Sequence, residues 1–187
     1  MHNIDQSLEL KLNGTRRRGM GSHESTAMIN DEWLTPQYII DAIGPFDLDP
    51  CAPIIRPWPT AEKHYTRDDD GLIQEWYGRV WCNPPYGPET GQWLRKLADH
   101  GNGIALVFAR TETDFFFRQI WDRAHSVFFF KGRLYFYNVN GRKSSKNAGA
   151  PSCLVAYGIN NTDAIEEART HNTIIGKHIL LQDINYL

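Results

Sequence analysis

Between Gly103 and Ala109 the chain reads Ile104-Ala105-Leu106-Val107-Phe108, the strongest buried-strand segment in the sequence. A run of this kind, with no polar alternation, needs cover from other elements. A shorter apolar run, Gly78-Arg79-Val80-Trp81-Cys82, precedes it. Between the two, Gln92 to His100 places Trp93, Leu94, Leu97 and Ala98 at helical spacing and stops near Gly101. Phe46 and Leu48 mark a first strand, and Ile39, Ile40 and Ile43 a helix before it. Phe115, Phe116, Ile120 and Trp121 mark a later helix, with Phe115 to Phe117 read as core. Ser126 to Phe130 and Leu134 to Tyr137 read as strands around Lys131-Gly132-Arg133, and Ser152 to Tyr157 as another. Ala164 to Arg169 and Lys177 to Leu181 supply a last helix and strand with no chemistry assigned to them. Strands alternating with helices of these lengths imply an α/β protein with a mostly parallel sheet. In 187 residues of 41% hydrophobic content, one domain is expected. It is placed at residues 29–187, behind a polar arm at residues 1–28 that carries Arg16-Arg17-Arg18.

Asn83-Pro84-Pro85-Tyr86 follows the Val80-Trp81-Cys82 run directly, at the carboxyl end of a strand and before a helix. Open α/β sheets place their ligand crevice at such strand ends. The residue types also fit one piece of chemistry. An amino or amide nitrogen with a delocalised lone pair is a poor nucleophile. An Asn oxygen and a prolyl carbonyl can accept its two N–H bonds and hold the lone pair in line with a methyl donor. Two prolines make the turn stiff and remove competing donors. An aromatic ring after them can stack on a planar group. Taken alone, the tetrapeptide also fits an ordinary polar turn.

The tetrapeptide is one of several blocks in a fixed order. Trp33-Leu34-Thr35-Pro36, Asp47-Leu48-Asp49-Pro50-Cys51-Ala52 and Asp70-Gly71-Leu72 come before it. Ala109-Arg110-Thr111-Glu112-Thr113 and Gly132-Arg133-Leu134-Tyr135-Phe136 come after. The series resembles the phage-type DNA N6-adenine methyltransferase family, the small Dam-like enzymes of phages and prophages. The resemblance covers roughly Asp31 to Gly158. It implies a Rossmann-like class I methyltransferase fold: a mostly parallel sheet with an antiparallel edge hairpin and helices on both faces. It further implies S-adenosylmethionine as cofactor, DNA as substrate, and Asn83, Pro84, Pro85 and Tyr86 as the catalytic set.

The cofactor site implied by the resemblance involves Trp33, Thr35, Pro36, Asp49, Pro50 and Asp70. Asp49 follows the first strand, where a carboxylate can meet an ammonium group directly or through water; a turn cap is its other reading. Thr35 and Pro36 suit the N-cap and first position of a helix, whose free N–H groups suit a carboxylate. Trp33 is read equally as core or pocket lining. Asp70 ends the acidic run Asp68-Asp69-Asp70, by composition a solvated face. Its pairing with an adenine amino group rests on the resemblance. Pro53-Ile54-Ile55 stands where the family has a glycine-containing loop, and Glu62 is the acid weighed for the ribose hydroxyls.

Net charge is −2, so the whole chain does not announce a polyanion partner. Its distribution is more telling. Asp41 to Glu75 carries eight acids and three bases, whereas Lys131 to Lys146 carries five bases and no acid. Arg110, Arg133, Arg142, Lys143 and Lys146 are the candidates for DNA contact. The 142–146 segment reads either as that contact or as a solvated mobile loop. The segment between Asp49 and Asn83 is too short for a recognition domain, so sequence reading is expected from the 110–150 region, the tails or a second subunit. The target adenine would be flipped out or taken from single-stranded DNA. Methylation of RNA or of a protein glutamine, and a non-catalytic nucleic-acid-binding relic, are the rival readings.

Cys51, Cys82 and Cys153 lie in apolar contexts without metal-ligand spacing, so no metal is expected. That usage, with no signal peptide and no apolar run of membrane-spanning length, points to the cytoplasm.

Overall fold

Gly103–Phe108 (β5) lies at the centre of a seven-stranded sheet. The computed structural model describes residues 33–182. The expected arm with Arg16-Arg17-Arg18 lies outside the described residues, as do positions 29–32 and 183–187 of the expected domain. On one side of β5 stand β4 (Val80–Cys82), β2 (Leu48–Asp49) and β3 (Lys63–His64), each parallel to its neighbour. On the other side β8 (Ser152–Tyr157) runs antiparallel, followed by β6 (Ser126–Phe130) and β9 (Gly176–Leu180). Two successive reversals return β6 to the direction of β5. The sheet is therefore mostly parallel, with only β8 and β9 reversed.

Residue alternation along the strands divides the core into two layers. Trp81, Ile104, Leu106, Phe128, Leu154 and Ala156 face α1 (Gln37–Ile43) and α3 (Ile159–Thr170). Val80, Cys82, Ala105, Val107, Val127 and Val155 face α2 (Thr90–His100) and a π-helical segment, Phe116–Trp121. Helices thus cover both faces, as a run like Ile104–Phe108 requires. Each fully buried Leu, Ile or Phe contributes about 1.5–3 kcal/mol of transfer free energy. Gly101 closes α2 at φ 75, a left-handed position that glycine adopts at little cost. This mixed α/β arrangement is compatible with a Rossmann-like fold. No helix among the described residues is long and apolar enough to cross a membrane.

Four expectations change. Leu134 to Tyr137, expected as a strand, does not join the main sheet beside Ser126–Phe130. Gly132, at φ 84, turns the chain off the sheet, and the fully buried β8 takes the β6 edge. Leu134 and Phe136 point into the α1/α3 layer, while Tyr137–Asn138 (β7) pairs antiparallel with Trp33–Leu34 (β1). Second, Arg142 to Lys146 is a loop, as expected, but it is tied back to the 134–138 segment by one isolated bridge, Lys143 with Tyr137, and by backbone hydrogen bonds. Asn138 N–H donates to Arg142 O at 2.9 Å, Ser144 N–H to Phe136 O at 2.8 Å, and Ala148 N–H to Leu134 O at 2.7 Å. Third, Pro36 is the N-cap of α1 and Thr35 stands outside it. With ψ at 128° Pro36 stays extended, and no side chain caps the helix. Fourth, Phe116 is buried but Phe117 is 53% exposed, so the aromatic triplet is only partly core.

Candidate active site

Asn83 leaves β4 at its carboxyl end, and the turn it begins lines a cavity of about 570 Å³. Pro84, Pro85 and Tyr86 line the same cavity. So do Trp33 and Thr35 from the β1 segment, Asp49 and Pro50 from the end of β2, and Asp70. Pro36 does not: it is buried beneath α1.

The Asn83 amide is oriented by one bond. Its Nδ2 donates to the Trp33 carbonyl at 3.4 Å, which directs Oδ1 the other way. Oδ1 is buried and has no hydrogen-bond partner among the described residues. A buried acceptor left in that condition costs about 1–3 kcal/mol. Beside it, the Thr90 hydroxyl donates to the Pro85 carbonyl at 2.9 Å and accepts from Gly87 N–H at 3.1 Å. The turn is thereby pinned to the start of α2, and the Pro84 carbonyl accepts no bond among the described residues. The Tyr86 ring lies flat on Phe108, at the end of β5. Together they give one unused acceptor from a side chain, another from the backbone, and an aromatic face.

Asp49 is 3% exposed. Its Oδ1 accepts from Cys51 N–H at 3.1 Å, and its Oδ2 from the Thr60 hydroxyl. Burial pushes its carboxyl up to about 6, against the pull of those two donors and of Arg56. No lysine or arginine forms an ion pair with it among the described residues. The Pro53-Ile54-Ile55 departure is therefore part of a longer excursion that brings Thr60 back onto Asp49. Within it the Arg56 guanidinium donates to Pro53 O at 2.7 Å, and Ile54 and Ile55 stay exposed.

The three acids of the 68–70 run separate. Asp68 lies 4.0 Å from Arg67. Asp69 accepts from the Thr66 amide and hydroxyl at 2.8 and 2.9 Å. Asp70 alone of the three lines the cavity, and its side chain has no hydrogen bond among the described residues. Its φ is 51°, a left-handed geometry that Asp tolerates better than most residues. Gly71 is required next to it, since a Cβ there would fall 1.9 Å from the Pro50 carbonyl oxygen. Glu62 is exposed and outside the lining, whereas Glu89, at the start of α2, is within it.

Cys51 and Cys82 approach to 3.8 Å between sulfurs, and burial holds the Cys51 thiol well above its usual range. The His64 Nε2 accepts from the Thr60 and Ala61 amides at 3.2 and 3.3 Å. Burial holds its ring down at about 4, so it is neutral at pH 7. Among the described residues no group of His, Cys, Asp and Glu could hold a metal ion.

None of the five basic candidates lines the cavity. Arg110, Arg133, Arg142, Lys143 and Lys146 are all exposed. Arg110 follows β5 just beyond Phe108. The others lie before and after β7, which pairs with β1, and β1 carries the Trp33 carbonyl that orients Asn83. Lys143 Nζ sits 4.7 Å from the centroid of the Tyr135 ring.

Sequence reasoning missed Thr60, Thr90 and Phe108. Each acts on a predicted residue across a turn or a strand boundary, and no local pattern marks it. Trp93 was read only as a core position of α2; it also lines the cavity, with its indole N–H unpartnered among the described residues.

A helix-covered, mostly parallel sheet with a cleft at its carboxyl edge is compatible with a Rossmann-like α/β protein, a class that places ligands at such an edge. Within that class the chain belongs to the DNA N-6-adenine-methyltransferase (Dam) family, whose model matches residues 22–182. The family implies methylation of adenine N6 in DNA. No curated protein and no solved structure matches the chain.

Proposed function

We propose that the protein transfers a methyl group from S-adenosylmethionine to the exocyclic amino nitrogen of adenine in DNA. The observation that carries the reading is Asn83: its amide is fixed by Trp33, and its oxygen is a buried acceptor without a partner. An amino group is the donor that such a site lacks. Asn83 Oδ1 and the Pro84 carbonyl accept the two amino hydrogens, drawing lone-pair density out of the ring and fixing its direction. Tyr86, backed by Phe108, offers a face for the base. The base enters flipped out of the duplex, or from a single strand. Its N6 gains the methyl carbon and gives up one proton to solvent, with no covalent enzyme intermediate.

The residues present fit the methyl donor. A buried Asp49 carboxylate with two neutral donors and no ion pair among the described residues suits an α-ammonium group. Asp70 suits an adenine N–H, and Trp33, Thr35 and Pro50 complete the walls. S-adenosylmethionine, when bound, supplies the electrophilic sulfonium methyl. The sheet order, with β8 between β5 and β6, supports a class I methyltransferase fold. Arg110, Arg133, Arg142, Lys143 and Lys146 are assigned to the DNA backbone; their exposure, and the pairing with β1 of the β7 segment near the last four, support that role.

The test is to incubate the protein with methyl-labelled S-adenosylmethionine and adenine-containing DNA, then digest the DNA to nucleosides. Label in N6-methyl-deoxyadenosine is expected. Label confined to RNA or to protein, in parallel reactions, would overturn the DNA assignment. Cofactor binding without transfer to any of these would overturn the catalytic one.

A further inference from the structure

The geometry points to Lys96 as a positioning residue for the cofactor, acting through the turn that carries Asp70. The inference rests on the assignment of Asp70 to the cofactor and asks what keeps that carboxylate in place.

Lys96 lies midway along α2, and its ammonium is spent on backbone. Nζ donates to Leu72 O at 2.7 Å, to Gly71 O at 3.3 Å and to Gln74 O. An ammonium has three donors, and here all three converge on carbonyls of one turn. The same group sits 5.1 Å from the centroid of the Trp76 ring, whose indole N–H donates to Gly71 O at 2.8 Å. The charge also attracts the Asp70 carboxylate.

The turn needs this. Ile73 is 76% exposed, and the segment's apolar anchorage is limited to Leu72 and Trp76, which are only partly buried against the core. Asp70 is in the left-handed region, which costs an L-residue free energy and persists only where surrounding contacts offset it. On its other side the turn leans on the Pro50 carbonyl through Gly71. It is therefore gripped between the end of β2 and the side of α2. The first residue of α2, Thr90, pins the Asn83–Tyr86 turn. One helix thus sets both the catalytic turn and, through Lys96, the Asp70 turn. Removing the ammonium frees only the second, so cofactor affinity falls while turnover at saturation persists.

The experiment measures S-adenosylmethionine affinity by calorimetry, and kcat on adenine-containing DNA, for the wild type, Lys96→Met, Asp70→Asn and the double variant. Lys96→Met is expected to weaken binding about tenfold, the effect of about 1.4 kcal/mol, with kcat changed less than about twofold. In the Asp70→Asn background it should weaken binding little further, since the two act through one contact. Lys96→Gln, shorter and uncharged, should behave the same way and stands in if Lys96→Met does not fold. Unchanged affinity in a folded Lys96 variant would overturn the inference, as would full additivity with Asp70→Asn or a fall in kcat alone. A wild type that binds no S-adenosylmethionine would instead overturn the function on which it rests.

Discussion

Tyr86 and Phe108 stack with ring centroids 4.0 Å apart and planes 9° from parallel. One comes from the turn after β4 and the other from the end of β5, so two neighbouring strands fix one aromatic platform. Phe108 occupies one face of Tyr86, and Tyr86 remains 38% exposed. A planar substrate meets a ring that is already positioned, which lowers the ordering cost of stacking on it.

Tyr86→Ala is expected to lower kcat/KM for DNA by about 10- to 100-fold, the range of one base–aromatic stack. Tyr86→Phe should retain most of the activity, because the ring and not the hydroxyl carries the contact. Phe108→Ala should fall between the two. Steady-state kinetics on one oligonucleotide, with S-adenosylmethionine affinity unchanged in all three, would check the order.

Asn83→Ala removes the unpartnered acceptor and the bond to Trp33 together. Turnover should fall by about 10²–10³, the usual effect of losing a group that acts mainly in the transition state. Cofactor affinity should be nearly unchanged. A variant that binds cofactor and still turns over at the wild-type rate would remove Asn83 from the mechanism.

Asp49 predicts a pH dependence with opposite signs for binding and stability. Its carboxyl is pushed by burial from 3.8 up to about 6. An ammonium partner needs the ionised form, so cofactor affinity should fall about tenfold per pH unit as pH drops below 6. In the free protein a raised carboxyl favours the folded state only when protonated. Its contribution is present below pH 3.8 and is lost as pH rises through 6. Asp49→Asn should therefore bind S-adenosylmethionine poorly yet melt a few degrees higher than wild type at about pH 8. Titration calorimetry and thermal melts from about pH 5 to about pH 8 would measure both.

Gly71→Ala places a methyl group 1.9 Å from the Pro50 carbonyl oxygen and 3.2 Å from the Trp93 ring. Neither backbone nor indole can yield easily, so the Asp70 turn must move. Overpacking of this kind costs about 1–3 kcal/mol. Cofactor affinity should drop at least about tenfold, and a melting curve would show that the fold persists.

Replacing Arg142, Lys143 and Lys146 together with Ala should weaken DNA binding most at low salt. The slope of log affinity against log salt should fall by about 0.9 for each phosphate that the variant no longer neutralises. Cofactor binding in the absence of DNA should not change. An unchanged salt slope would place the DNA on another surface.

The cavity-lining turn Asn83–Tyr86 was legible in the sequence because its pattern is local: four adjacent residues after an apolar run. The centre of the sheet was legible for a similar reason, since Ile104–Phe108 has one sensible environment. Lys63–His64 was not, because a two-residue strand carries no period. Leu134–Tyr137 has the right composition for a strand, but its place was settled by competition. Ser152–Tyr157 pairs with both β5 and β6, and nothing within residues 134–137 signals that rival. The hydrogen bond from Thr60 to Asp49 likewise joins residues that only the fold brings together. Thr35 looked like a helix cap because Thr-Pro suits one, yet Pro36 remains extended and Thr35 faces the cavity.

The place of β8 also governs how the protein can be made. Ser152–Tyr157 fills the gap between β5 and β6, although both of those strands leave the ribosome first. Until it arrives, β5 and β6 each keep an unpaired edge, the surface by which nascent chains pair wrongly with one another. A polypeptide stopped before Ser152 would hold every residue assigned to the methyl-transfer site and still lack the strand that joins the two halves of its sheet. Completion of the sheet is decided late, by a segment that does not line the cavity.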